Sequence, residues 1–243
     1  MVLNQQVNKG VILAAGTGDR LGFLTVTRPK VLLRVNNKEL IRYPIEAMVA
    51  AGISEIAVVI GYLGDKVIRV LGDGSNFGVK IRYIINPDYL GGNAISVYKA
   101  RDWAQGDPIV LCMGDHLIED TLVTRLLDGQ TLNDTLCIDY APAQHHQPAE
   151  ATKVIVDKAG CIKDIGKNLT HWDALDTGVF LLTENFFRAL DKLARRPRIN
   201  IEISDVILFL INQGYFLDTC NVTGCFWADI DTEETLNLVR CRR

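Results

Sequence analysis

Short runs rich in β-branched residues alternate along the chain with longer segments whose apolar positions recur every three or four residues. In the first half, runs 11–15, 55–60, 79–84 and 108–112 have the length and Val/Ile content of buried strands. Segments 39–51, 65–71 and 93–105 carry the helical period. Strands separated by helices call for right-handed crossovers and a largely parallel sheet. Past residue 130 the texture changes. Runs 135–140, 152–157, 161–165 and 179–182 predict strands with fewer helices between them, and helices are predicted at 184–193, 203–212 and 232–240. The pattern reads as one three-layer α/β domain over residues 1–243, with a first half of about 1–130 and a β-rich second half of about 131–243. Gln144 to Pro148 reads as a surface loop.

Composition narrows the class. Of 243 residues, 48% are hydrophobic and 23% charged, which excludes a disordered tail or a coiled coil. The net charge of −3 gives no support to a nucleic-acid partner. No apolar run approaches the ~18 residues of a membrane span, and the first residues lack the pattern of a signal peptide. Six scattered cysteines form no Cys-x-x-Cys pair, so free thiols in a reducing cytoplasm are expected.

Open parallel sheets bind ligands beyond the carboxyl ends of their strands. After the first run come Ala14-Ala15-Gly16-Thr17-Gly18-Asp19-Arg20, then Arg28-Pro29-Lys30. Glycines there let backbone N–H groups approach a phosphate; the same letters also describe a tight surface turn with solvated cations. Gly16-x-Gly18-x-x-x-Gly22 nearly matches a dinucleotide fingerprint, which needs a helix to start at once. Thr25-Val26-Thr27 and Pro29 oppose a long helix. A long loop placing Arg20 and Lys30 around a triphosphate fits better. Asp115 follows the run ending at Cys112, and Asp229 and Asp231 follow Phe226-Trp227. A carboxylate at the end of a buried strand is costly unless paired or bound to a metal, and Mg²⁺ is often held by one or two carboxylates plus phosphates. Read singly, Asp115 also fits a turn and Asp231 a helix N-cap. No Ser-His-Asp or Cys-His pattern is present for nucleophilic catalysis.

Leu13-Ala-Ala-Gly-Thr-Gly-Asp-Arg-Leu21, then Leu24-Thr25 and Pro29-Lys30, resembles the signature of the sugar-nucleotidyltransferase superfamily. The chain departs from it at Asp19, where Thr or Ser is usual, and at Phe23, where Pro is common. Gly114-Asp115 and Trp227-Ala-Asp229 match its metal-holding motifs, with Asp231 in place of a late Gly. Met113-Gly-Asp-His116, Glu150-Ala-Thr-Lys153, Ile165-Gly-Lys-Asn-Leu169, Asp173 with Asp176-Thr-Gly178, and Trp227-Ala-Asp-Ile-Asp-Thr232 are more specific. They resemble the CTP:inositol-1-phosphate cytidylyltransferases, and the likeness runs from Gly10 to about Val239.

The resemblance implies a Rossmann-like, GT-A-like nucleotidyltransferase fold with a mostly parallel central sheet and a β-rich acceptor half. It implies Mg²⁺-dependent transfer from CTP to a small phosphorylated polyol, L-myo-inositol-1-phosphate. Arg20 and Lys30 would act on the phosphates, and Asp115 and Asp229 would hold the metal. Ala14, Ala15, Gly16, Thr17, Gly18, Gly92, Asn93 and Ser96 would bind the nucleotide; Asn93 also fits an ordinary helix N-cap. Glu150, Lys153, Lys167 and Asp176, with Asp173, would bind the acceptor. Members are often fused to a membrane-embedded CDP-alcohol phosphotransferase. This chain, ending at Arg243, would be a free-standing version without membrane insertion. A sugar-1-phosphate or phosphocholine nucleotidyltransferase and a non-catalytic regulatory subunit are the alternatives.

Overall fold

A computed structural model describes residues 7–129, 133–143, 150–195 and 200–240. The loop expected at Gln144 to Pro148 lies outside these residues. Strands are β1 (Lys9–Ala14), β2 (Arg34–Val35), β3 (Lys38–Glu39), β4 (Glu55–Ile60), β5 (Lys80–Ile85), β6 (Ile109–Met113), β7 (His116–Ile118), β8 (Thr135–Asp139), β9 (Lys153–Val156), β10 (Ile162–Gly166), β11 (Ala174–Leu182), β12 (Asp218–Asn221) and β13 (Trp227–Asp229). Helices are α1 (Phe23–Val26), α2 (Arg42–Ala50), α3 (Gly64–Leu71), α4 (Asn93–Lys99), α5 (Arg101–Ala104), α6 (Asp120–Asp128), α7 (Glu184–Ala194), α8 (Ile203–Asn212) and α9 (Glu233–Arg240).

The central sheet runs β10-β9-β11-β6-β1-β4-β5, with β8 pairing both β11 and β12. β6, β1, β4 and β5 are mutually parallel, whereas β11 is antiparallel to β6, β8 and β9. Alternation along β1 builds both faces: Val11 and Leu13 join the core under α4, α7 and α8, while Ile12 and Ala14 join the core under α2, α3 and α6. Burying each such Val, Ile or Leu side chain contributes roughly 1.5–3 kcal/mol. A third, smaller core packs Leu21 and Leu33 against Leu117, Ala228, Ile230 and Leu236. It fixes the loop after β1 to the β7–β13 pair and α9.

Several elements differ from the sequence pattern. The helix expected from residue 39 begins at Arg42 because Lys38–Glu39 pair with Arg34–Val35 around Asn36-Asn37. Both asparagines have positive φ (51° and 61°), the requirement of a two-residue hairpin turn. The helix expected over 93–105 is divided at Ala100, whose N–H bonds Val97 O in place of an i−4 partner. β11 starts five residues earlier than expected and takes in Asp176-Thr177-Gly178. Its register with β8 shifts between Asp176 and Phe180, and Gly178 there has φ 76°. β7, α6 and β12 have no counterpart in the periodicity reading.

Candidate active site

β1 ends at Ala14, and its continuation turns at Gly18, whose φ of 71° and close approach to Lys30 Cβ leave no room for a side chain. Short turns at Asp19–Leu21 and Phe23–Val26 replace the long helix a dinucleotide fingerprint needs. Thr25 Oγ1 ties the loop by donating to Gly18 O at 3.0 Å. Asp19 is exposed at the rim of this loop. Lys30 opens a further single turn and is itself buried.

Its ammonium lies 2.6 Å from Asp115, pairs with Asp231, and lies 3.8 Å from Asp229 Oδ1. Arg20 pairs with Asp231 as well and with Glu150 at 2.5 Å. Asp231 therefore spans both cations of the loop. The helix cap expected of it falls to Thr232, whose Oγ1 accepts from Thr235 N.

Asp115 sits in the turn after β6. Asp229 ends β13 and lies directly opposite His116 on β7. Trp227, two residues before Asp229, is held by its indole N–H donating to the buried Asp139 at 2.9 Å. Burial works to raise the Asp115 carboxyl, but Lys30 and His116 outweigh it and hold it below the ordinary value. Burial, with Asp115 and Asp231 adding repulsion, pushes Asp229 up to about 7 against the pull of His116 and Lys30. Asp231 is half-buried, yet Lys30, Asp229 and Arg20 keep it well below the carboxylate range. For Lys30 the desolvation is overcome by Asp115, Asp229 and Asp231, so the ammonium persists at any physiological pH.

These groups border two openings that share Leu13, Gly16, Asp115 and Asp231 in their walls. A cavity of about 780 Å³ is lined by Ala15, Gly16, Gly92, Asn93, Ser96, Asp115, His116, Glu150, Lys167, Asp176, Asp229 and Asp231. A smaller one of about 340 Å³ is lined by Ala14, Gly16, Thr17, Gly18, Arg20, Lys30, Asp115 and Asp231. The larger falls within the ~300–1,000 Å³ usual for small-molecule sites. Lys153 borders neither; its ammonium donates to Lys167 O at 2.8 Å. Asp173 accepts from Val156 N at 2.8 Å and so anchors backbone. Asn93 is not the cap of its own helix: Gly92 holds that position, and Asn93 Oδ1 accepts from Ile203 N at 2.8 Å, capping α8. Ser96 is buried and accepts from Asn86 at 2.9 Å. Burial raises Asp176 to about 6, against the Gly178 N–H it accepts at 2.7 Å.

Sequence reasoning missed Asn200, Glu202 and Ser204, which line the larger cavity at the start of α8. The only signal was a polar run ahead of a helix, which is ordinary capping chemistry. It also gave His116 no role beyond the Met113-Gly-Asp-His116 wording, whereas the ring enters the carboxylate group. Asp115, His116 and Asp229 each offer a ligand atom within 4.8 Å of one another.

Residues 9–237 match the family model for nucleotidyl transferases. The chain belongs to the nucleotidyl transferase family. Among curated nucleotidyl transferases and their kin, it is 32% identical over 234 residues to a low-salt glycan biosynthesis nucleotidyltransferase of Haloferax volcanii, covering 94% of this chain and 64% of that one. It is 32% identical over 228 residues to a bifunctional IPC transferase and DIPP synthase of Rubrobacter xylanophilus, covering 93% of this chain and 50% of that protein. The chain thus spans one half to two thirds of these relatives. The solved inositol-1-phosphate CTP transferase from T. maritima superposes with a TM-score of 0.82 at 24% identity, covering 98% of both chains. That likeness establishes the Rossmann-like nucleotidyltransferase fold. Among the described residues, no helix is long and apolar enough to cross a membrane.

Proposed function

We propose that this nucleotidyl transferase joins CTP to L-myo-inositol-1-phosphate, giving CDP-inositol and pyrophosphate. The observation that carries the transfer chemistry is the meeting of Arg20 and Lys30 with Asp115, Asp229 and Asp231 at one sheet edge, where both cavities open. The choice of cytidine and inositol rests on the Met113-Gly-Asp-His116 and Trp227-Ala-Asp-Ile-Asp-Thr232 wording and on the named activities of two relatives.

A phosphate monoester has a second pKa near ~6 and is a nucleophile at neutral pH without a general base. Its oxygen forms a bond to the α-phosphorus of CTP while the α–β bridging bond breaks, and the electron pair leaves with pyrophosphate. Catalysis is then positioning plus charge neutralisation. Arg20 and Lys30 exchange their carboxylate partners for phosphate oxygens and stabilise the charge passing to pyrophosphate. Gly16, Thr17 and Gly18 offer backbone N–H groups to the triphosphate. Gly92, Asn93 and Ser96 line the nucleoside end. Glu150 and Asp176 accept from acceptor hydroxyls, and Lys167 meets the acceptor phosphate.

A divalent cation fits the donor set, because Asp229 Oδ1 is sealed from solvent and has no hydrogen-bond partner. Asp115 and Asp229 would hold Mg²⁺, which when bound neutralises phosphate charge. Pyrophosphate release measured with each of the four nucleoside triphosphates against inositol-1-phosphate, glucose-1-phosphate and phosphocholine tests the assignment. Activity confined to CTP with inositol-1-phosphate supports it. Faster release from UTP or dTTP with glucose-1-phosphate transfers the chain to the sugar-nucleotide branch.

A further inference from the structure

We infer that His116 is a third, nitrogen ligand of the divalent-cation site, completing a mixed set with Asp115 and Asp229. The inference rests on the metal reading above and extends it to a residue that the two-aspartate pattern does not include.

Four observations converge on the imidazole. Its Nδ1 lies 3.0 Å from Thr177 O. A carbonyl only accepts, so Nδ1 carries a proton, and Nε2 is the nitrogen that either a second proton or a metal ion can occupy. That second nitrogen points at Asp229 Oδ1, 3.6 Å away, too far for a hydrogen bond. Asp229 Oδ1 is the sealed oxygen without a partner. Nε2 and a sealed carboxylate oxygen held face to face describe a seat for a cation: without a metal the carboxylates favour a proton on Nε2, and a bound ion would replace it.

The third observation is the backing of the ring. A histidine that ligates a metal ordinarily donates its other N–H to a carbonyl or carboxylate, which fixes its tautomer and aim. Thr177 supplies that carbonyl, and its own hydroxyl donates to Cys137 O at 2.9 Å, so the carbonyl is locked into β8. The fourth is space. Gly178 has φ 76°, and a Cβ there would stand 2.5 Å from His116 Cε1. The strand is shaped to let the imidazole lie against it.

The chemistry of the set follows. Carboxylates alone suit Mg²⁺, which prefers oxygen ligands and retained waters. An imidazole nitrogen shifts preference away from Mg²⁺ and towards first-row transition ions, of which Mn²⁺ also accepts carboxylate oxygens. The chain should bind Mn²⁺ more tightly than Mg²⁺. Loss of the nitrogen should weaken Mn²⁺ roughly 10- to 100-fold while leaving Mg²⁺ less affected.

The test is pulsed electron paramagnetic resonance on the full chain with Mn²⁺ alone, reading electron-spin-echo modulation from directly bound ¹⁴N. Mn²⁺ affinity is titrated in parallel, and Mg²⁺ is used as competitor. The expected result is a ¹⁴N coupling that survives in H145Q/H146Q/H171Q, which retains only His116, and disappears in H116Q. Because H116Q could unfold, the triple variant carries the assignment by itself. Mn²⁺ binding without nitrogen coupling, or a coupling lost in the triple variant, overturns the inference and leaves an all-oxygen site. Failure of both Mn²⁺ and Mg²⁺ to bind, with or without CTP, overturns the metal reading itself and this inference with it.

Discussion

Gly178→Ala is the smallest change that strikes the site without altering a charge. Gly178 sits in β11 with φ 76°, a conformation that costs an L residue roughly 1–2 kcal/mol. The added methyl would lie 2.5 Å from His116 Cε1, 2.6 Å from Nδ1 and 3.0 Å from Met113 Cγ. Restoring ordinary contact requires the ring to retreat by about 1 Å, at an overpacking cost of roughly 1–3 kcal/mol. The sum, roughly 2–5 kcal/mol, lowers the melting temperature by about 4–20 °C in a domain of this size. The retreat also breaks the His116–Thr177 bond and displaces the group facing Asp229, and a misplacement of about 1 Å can cost roughly 100-fold in turnover. Gly160→Ala is the control. Its φ is 86° and nothing lies within 4 Å of the added methyl, so it carries the backbone cost alone. Thermal unfolding and pyrophosphate release are measured on both variants. Equal melting shifts with undiminished turnover in Gly178→Ala would refute the steric argument.

Asp115→Asn and Asp229→Asn should each lower turnover by at least ~100-fold while circular dichroism stays native; full Mg²⁺-dependent activity in either would remove that residue from the metal site. Lys30→Ala should cost more in kcat than in the KM for nucleotide, since its charge is needed most as pyrophosphate leaves; an unchanged kcat with a raised KM would make it a ground-state contact. Asp134, buried and accepting from Thr183 N at 2.6 Å, is raised by burial from 3.8 to about 6. The folded chain therefore holds that proton longer than the unfolded chain, and the contribution of this carboxyl to stability falls by roughly 3 kcal/mol as pH rises from about 4 to 6. Asp134→Asn keeps an acceptor for Thr183 and should remove this contribution from the slope in urea titrations across that range, leaving what the other raised carboxyls supply; an unaltered slope would show that Asp134 contributes nothing to it.

Much of the nucleotide half was legible because its signals are local. β1, β4 and β6 are apolar runs between helical segments, and Gly16 to Arg20 follows directly on the first. Asp115 and Asp229 could be named because each ends an apolar run at the expected edge. What escaped depends on long-range pairing. His116 is adjacent to Asp115 in sequence, but its meaning comes from β13 setting Asp229 opposite it and from the Thr177 carbonyl on β11. Asp176-Thr177-Gly178 has the letters of a turn, yet β8, β9 and β6 hold it in a strand. Lys153 and Asp173 carry the right charges, but their side chains are spent on Lys167 O and Val156 N. Asn93 could be assigned as a cap from its type, while the helix it caps lies 110 residues away.

The assignment of substrate is tested most directly by a single competition reaction. Purified protein with Mg²⁺ is given equal concentrations of the four nucleoside triphosphates and dTTP together with inositol-1-phosphate, glucose-1-phosphate and phosphocholine, and the early products are identified by mass spectrometry. The account predicts CDP-inositol as the dominant nucleotide conjugate, with pyrophosphate formed in equal amount. A dominant UDP- or dTDP-sugar, or CDP-choline, would contradict it.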